Sequence, residues 1–412
     1  MNSKKNFWIT ISLMNLCILA LLGVTLRSKI LFPLQGIEFT NILQAHSHFA
    51  FGGWVTMVLF SLLVYDILPP AMSSKKVYQM LLWCTWMTSA GMLISFVYQG
   101  YSLISNIFFI GFTINTFAFS YHFIRDLIIS RVEPAIKVTL ISGLIYLVLS
   151  SVGPFTLAYL MSTGSVNHLL YKDSTYTYLH MQYNGFFTLS VFALFINNFY
   201  RQFNLHQLKS ARKFAGILSA SIIPTLFISY LWHFTSTGFM ILALVGCVFI
   251  ILTIVYLFSY LLAVKSILEK VPRFTRNIGF LSIIAFVLKS ILQTGTIIPS
   301  LGKLVFGDRA IIIGFLHLVL LGFISLYVFA HLLYSEILSL DVKVTRISIV
   351  TFIVGIIITE LILMIQGFGN LLMLSNGIYT WLLWFASIWL FAGALMIFIA
   401  RLRQRQITKM EE

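Results

Sequence analysis

About twelve runs of roughly twenty residues, each nearly free of charge, follow one another along the chain. At 1.5 Å per residue, a helix of that length matches the ~30 Å hydrocarbon core of a bilayer. The runs fall at about 7–25, 41–64, 77–97, 103–123, 138–160, 177–199, 214–233, 238–263, 277–298, 309–333, 346–368 and 374–400. The chain is 59 % hydrophobic and 9 % charged over 412 residues. A water-soluble domain of that size cannot hide so much apolar surface in one core. The sequence therefore predicts an all-α polytopic membrane protein in a lipid bilayer, with residues 1–412 forming a single transmembrane domain.

The formal net charge of +15 is a topology signal. Twenty-one of the 27 cations, among them Lys4, Lys75, Arg125, Arg212, Arg276, Lys343, Arg405 and Lys409, fall in the terminal segments and alternate gaps. The other gaps hold Arg27, Lys29, Lys172, Lys303 and Arg309, and Lys289 lies inside a segment. By the positive-inside rule, an even number of helices with both termini cytoplasmic is expected, as in a bacterial inner membrane. No basic stripe, P-loop or dinucleotide fingerprint points to nucleic acid or nucleotide. Cys17, Cys84 and Cys247 stand singly in separate segments and form no metal-spaced pair. Met1 to Phe7, with Lys4 and Lys5, resembles the start of a signal peptide, but no small-x-small site follows, so an uncleaved first helix is expected.

Topology gives each histidine a depth. His46 and His48 fall ~7–11 Å below the outer end of the second segment. His180 stands near the start of the sixth, His233 ends the seventh, and His317 lies about two turns into the tenth. His168 falls in the outer loop before the sixth segment, while His122, His206 and His331 belong to the inner side. Five histidines at one level are expected to serve a metal or haem, because intramembrane imidazoles are costly without partners. Polar interhelical packing and a proton or solute path are the alternatives. Two residues along a helix are about 200° apart, so His46 and His48 cannot serve one site from one face. Either they address two cofactors, or one ligates and the other bonds elsewhere.

This arrangement resembles the catalytic subunit I of the haem-copper oxidase superfamily, the cytochrome oxidases and nitric oxide reductases. The resemblance spans the chain in topology, with short local matches. It implies a twelve-helix bundle in which His46 and His317 ligate a low-spin haem b. It also implies that His180 and His233 are copper ligands; together with His48 they offer three nitrogens suited to copper or a similar metal, leaving a position for a small gas such as oxygen or nitric oxide. An electron-donor protein or accessory subunit would be the partner. Gln44, Gln182, Tyr183 and Asn184 would support those ligands or simply pack between helices. Phe315 departs from the pattern by occupying the position of the usual high-spin haem ligand, and the paired histidines at the end of the seventh helix are reduced to Trp232-His233. Tyr183 follows His180 by three residues instead of four, and the family's proton-channel carboxylates are absent, leaving Glu360 and Lys289 as the clearest intramembrane ionisable groups. A divergent, oxidoreductase-like haem protein is expected in place of a proton-pumping oxidase. No Cys-x-x-Cys-His is present for covalent haem attachment. The competing class is a haem-free transporter or channel built around Lys289, Glu360 and Gly52-Gly53.

Overall fold

A computed structural model describes residues 3–234, 236–374 and 376–411. Side chains of Lys303, Arg405 and Lys409, counted in the cation alternation, lie outside the described residues. The described chain is a helical membrane-type bundle with no strand. Among the described residues, twelve helices are long and apolar enough to span a bilayer. They are α1 (Ser3–Leu31), α2 (Phe39–Ile67), α3 (Lys76–Gln99), α4 (Leu103–Ile129), α5 (Pro134–Ser162) and α6 (His168–Gln202). The series continues with α7 (Leu205–Tyr230), α8 (Thr237–Ala263), α9 (Arg273–Gly295), α10 (Arg309–Tyr334), α11 (Lys343–Leu371) and α12 (Ile378–Gln404).

Several helices outrun their apolar runs, α1 among them, and α6 and α7 do so at their starts, where the first turns are polar but capped. Helix α6 starts at His168 instead of 177, where the Asn167 side chain accepts the Leu170 backbone N–H at 3.0 Å. Helix α7 starts at Leu205 instead of 214 on a reciprocal capping box. The Asn204 side chain accepts from Gln207 N at 3.0 Å, and the Gln207 side chain accepts from Asn204 N at 2.9 Å. His168 is therefore the first residue of α6 and not a loop residue, and His180 lies three turns in instead of near the start. His206 joins the first turn of α7, which ends at Tyr230, so His233 stands beyond the helix and not at its last residue.

Two compact units can be distinguished: residues 1–65, 73–115 and 313–412 form one, and residues 66–72 and 116–312 the other. In the first, Arg401 is buried and donates to the Ile337 carbonyl (2.6 Å) and to Thr10 Oγ1 (3.3 Å), fastening α12 to α1. Gly393 lets α12 approach the α11 backbone, since a Cβ there would stand 2.8 Å from Phe352 Cα. In the second unit, a Cβ on Gly246 would stand 2.6 Å from the Pro224 carbonyl oxygen, so α8 crosses α7 at its proline with the backbones in contact.

Helices α2, α6 and α10 differ from the rest. In α2 and α6, 89 % of the apolar stretch is buried, against 56 % in α10 and at most 50 % elsewhere. The same three carry widened i→i+5 stretches, at Ala50–Thr56 and Leu63–Ile67, Met181–Phe187, and Leu318–Ser325. Such widenings free backbone carbonyls and recur at functional sites. Each helix has a histidine one to four residues before its widened turns: His46 and His48, His180, and His317.

Candidate functional site

In the first unit, one hydrogen bond sets the register of α2 against α10. The indole Nε1 of buried Trp54 donates to Ser325 Oγ at 2.9 Å. Trp54 lies eight residues after His46, and Ser325 lies eight residues after His317. Since the helices run parallel, equal offsets bring the two histidines to the same level, ~12 Å along from the bond. The imidazoles are near enough to interact electrostatically with each other, and both sense Arg27. The Nδ1 atoms of His46 and His317 are buried and have no hydrogen-bond partner.

One face of α1 completes this region. Asn15, Leu19, Gly23 and Arg27 recur every four residues, the spacing of a helical stripe. Asn15 Nδ2 donates at 2.6 Å to the Gly53 carbonyl in the widened stretch of α2. The His46 ring stands beside the Leu19 carbonyl, and its Cε1 would be 3.6 Å from a Cβ on Gly23. From this position the Leu19 carbonyl oxygen can accept an N–H from the imidazole.

His48 faces the other way, as its 200° offset predicts. Its ring stacks on Phe96 at 4.6 Å, meets Phe109 edge-on, and Nε2 bonds the Tyr101 hydroxyl at 2.9 Å. Its surroundings are thus α3, the following turn and α4, while His46 faces α1. Gln44 Oε1 is buried without a partner. On α11, Glu360 places Oε2 3.9 Å from where a Cβ of Gly314 would lie, one turn before His317 on α10. Its Oε1 is buried and unbonded.

In the second unit the two remaining candidate ligands have protein partners. Lys289 Nζ donates to Asn184 Oδ1 (2.5 Å), and Asn184 Nδ2 donates to His180 Nδ1 (3.0 Å). That leaves His180 Nε2 as the protonated nitrogen, donating to the Ile222 carbonyl at 2.8 Å beside Pro224. Both nitrogens of His180 are engaged. His233 Nε2 pairs with Asp173 Oδ2 at 2.7 Å, while Trp232 Nε1 donates to Asp173 Oδ1 at 3.1 Å. The Lys172 ammonium lies 4.2 Å from the Trp232 ring centroid. Gln182 bonds Ser150 on α5 at 3.0 Å, an interhelical contact. The Tyr183 ring centroid lies 6.3 Å from that of His180.

Of the sequence candidates, the structure brings His46 and His317 together in one unit. His48 belongs to that unit but to another face of α2, and His180 and His233 belong to the second unit. Among the described residues, no three His, Cys, Asp or Glu side chains converge as a metal-holding group. The sequence reading missed Asp173 as the partner of His233, the Trp54–Ser325 bond, and the α1 stripe. The matching eight-residue offsets were visible signals, but only after α2 had been paired with α10. Comparison of the chain with protein-family models and with curated proteins finds no match.

Proposed function

We propose that this chain is an integral-membrane haem b protein that carries electrons, with His46 and His317 as the residues that would hold the haem iron. One observation carries the reading: two imidazoles, held at one level by the Trp54–Ser325 register, each bury an unpartnered Nδ1. A buried polar group without a partner costs about 1–3 kcal/mol, a cost that iron held at that nitrogen would remove. The donor set suits haem, whose iron is held by imidazole nitrogens. Bound haem would supply a one-electron centre with no open iron position. The chain's own contribution is to orient His46 from Leu19, to seal the level with apolar side chains of α2 and α10, and to offer the Arg27 charge from α1.

Copper at His48, His180 and His233 is not part of this proposal, because each ring already has a protein partner. One haem per chain is expected. Pyridine haemochrome analysis of purified protein should give a b-type spectrum near one equivalent, unchanged in His48→Ala and His180→Ala. Two equivalents, with a carbon monoxide-sensitive component lost in His48→Ala, would overturn the one-haem assignment; protein from haem-replete cells without a Soret band would overturn the whole reading in favour of a transporter or channel.

The membrane is a bacterial cytoplasmic membrane with both termini on the cytoplasmic face, and an electron-donor protein or accessory subunit is the partner. The cation bias supports this orientation. Single cysteines replacing Arg212 and Arg276 should react only with membrane-permeant reagents in intact cells, and one replacing Lys172 with impermeant reagents too. Labelling of the Lys172 and Arg212 positions from the same side would break the orientation.

A further inference from the structure

Cations are spread unevenly over the connections between spans. The end of α6 and the start of α7 carry Arg201, Lys209, Arg212 and Lys213 with no acidic residue, and the α8–α9 connection carries Lys265, Lys270, Arg273 and Arg276 against Glu269 alone. By contrast, Arg125, Arg131 and Lys137 share the α4–α5 connection with Asp126 and Glu133, and Lys343 and Arg346 follow Glu336 and Asp341 between α10 and α11. The positive-inside rule asks for a surplus summed over such connections. It does not explain a concentration of that surplus at two of them.

Contacts within the second unit bring those two connections to one corner. In the first turn of α7, Gln207 Nε2 donates at 2.9 Å to the carbonyl of Ala263, the last residue of α8. The Phe203 and Tyr260 ring centroids stand 6.0 Å apart across the same seam. Lys265 follows Ala263 by two residues, so it joins the start of α7. Arg212 is spent on Glu133 at 2.6 Å. Lys265 comes no nearer than 3.9 Å to Glu269, with both side chains in solvent, and Lys209 and Lys213 have no partner among the described residues.

The two lysines head one exposed face of α7. His206, Lys209, Lys213, Gly216, Ala220 and Ile223 recur every three or four residues, and all six are exposed. Past the lysines this face is shallow and apolar: a Cβ on Gly216 would meet nothing within 4 Å, and Ala220 offers only a methyl group. An apolar furrow on a membrane span, headed by unpaired cations, is complementary to a lipid whose headgroup is negative and whose chain lies below it. An acidic soluble protein would answer the charges but not the furrow. A zwitterionic lipid would bring its own cation to the lysines.

We propose that this corner binds one anionic phospholipid, its phosphate diester held by Lys209, Lys213 and Lys265 and an acyl chain lying on α7 over Gly216 and Ala220. The site lies wholly in the second unit and does not depend on the haem reading.

Native mass spectrometry of delipidated full-length protein, titrated with phosphatidylglycerol, phosphatidylcholine or inorganic phosphate, tests this. One saturable phosphatidylglycerol adduct is expected, with no equivalent for phosphatidylcholine and no displacement by inorganic phosphate. The double variant Lys209→Gln, Lys213→Gln should weaken it about tenfold, and Lys343→Gln should leave it unchanged. Gly216→Leu keeps every cation, fills the furrow and suits a helix better than glycine, so it should also weaken the adduct. Equal binding of phosphatidylcholine, displacement by inorganic phosphate, or full affinity in either the double lysine variant or Gly216→Leu would overturn the site. An acidic protein that leaves the double variant while its lipid titration stays unchanged would overturn it in favour of a protein partner.

Discussion

His46→Ala and His317→Ala are each expected to abolish the low-spin b-type spectrum, with more than a tenfold loss of bound haem per chain. If the two rings hold haem as proposed, removing either would leave the iron one protein ligand, and it deletes one of the two groups that the α2–α10 register brings to the same level. The contrast is with His331→Ala. His331 lies on the same helix as His317, buried beside Tyr327, but fourteen residues further on, ~21 Å along the axis. Its removal should leave the spectrum unchanged. His48→Ala is the sharper control, because His48 is only two residues from His46. It touches Phe96, Phe109 and Tyr101, so its loss should loosen the α2–α3 contact without touching haem content. If His48→Ala removes the spectrum while His46→Ala spares it, the ligand assignment on α2 is reversed.

Much of the architecture was legible because membrane solvent imposes a blunt rule. A backbone in hydrocarbon must satisfy itself, so a run of twenty apolar residues reads as a helix almost without reference to its neighbours. That is why twelve spans could be counted and why α10 began where its run began, at Arg309. Hydropathy fails where a helix extends beyond the apolar stretch. The polar turns from His168 to Tyr176 and from Leu205 to Lys213 are helical because Asn167, Asn204 and Gln207 cap them. Those caps were readable in the sequence, but they are local signals that a twenty-residue pattern overlooks.

The candidate site was legible in part, for a different reason. Depth follows from counting along a helix, so His46 and His317 could be assigned to one tier. Azimuth follows from 3.6 residues per turn, so His46 and His48 had to diverge. Neither count reports which helix stands opposite which. The partners of His180 and His233 are set by contacts across helices: Ile222 on α7, and Asp173 in the capped polar turns of α6. A histidine at the right depth is equally a ligand or a hydrogen-bonded packing residue until its neighbours are known. The neighbours do differ: the Nδ1 atoms of His46 and His317 are buried without a partner, while both nitrogens of His180 are bonded.

The register that aligns His46 with His317 rests on Trp54, so its loss should have a large effect at a distance. Trp54 is 1 % exposed and packs near Phe329 with ring centroids 6.4 Å apart. Trp54→Ala removes a whole indole from a close-packed interior and should cost about 3–5 kcal/mol, lowering the apparent melting temperature and releasing haem, although the residue lies ~12 Å along the helix from His46. Conservative variants then separate bulk from bonding. Trp54→Phe keeps most of the volume and leaves Ser325 Oγ still donating to the Leu320 carbonyl at 2.7 Å, so it should cost about 1 kcal/mol and retain the spectrum. Ser325→Ala strands the buried indole N–H and should cost about 1–3 kcal/mol, because an orphaned donor is more expensive than a lost acceptor contact. The expected order of damage is therefore Trp54→Ala, then Ser325→Ala, then Trp54→Phe, read by thermal unfolding and haem retention on the same preparations. A neutral Ser325→Ala would mean that the bond does not hold α2 to α10, and the alignment of the two histidines would lose its mechanical basis.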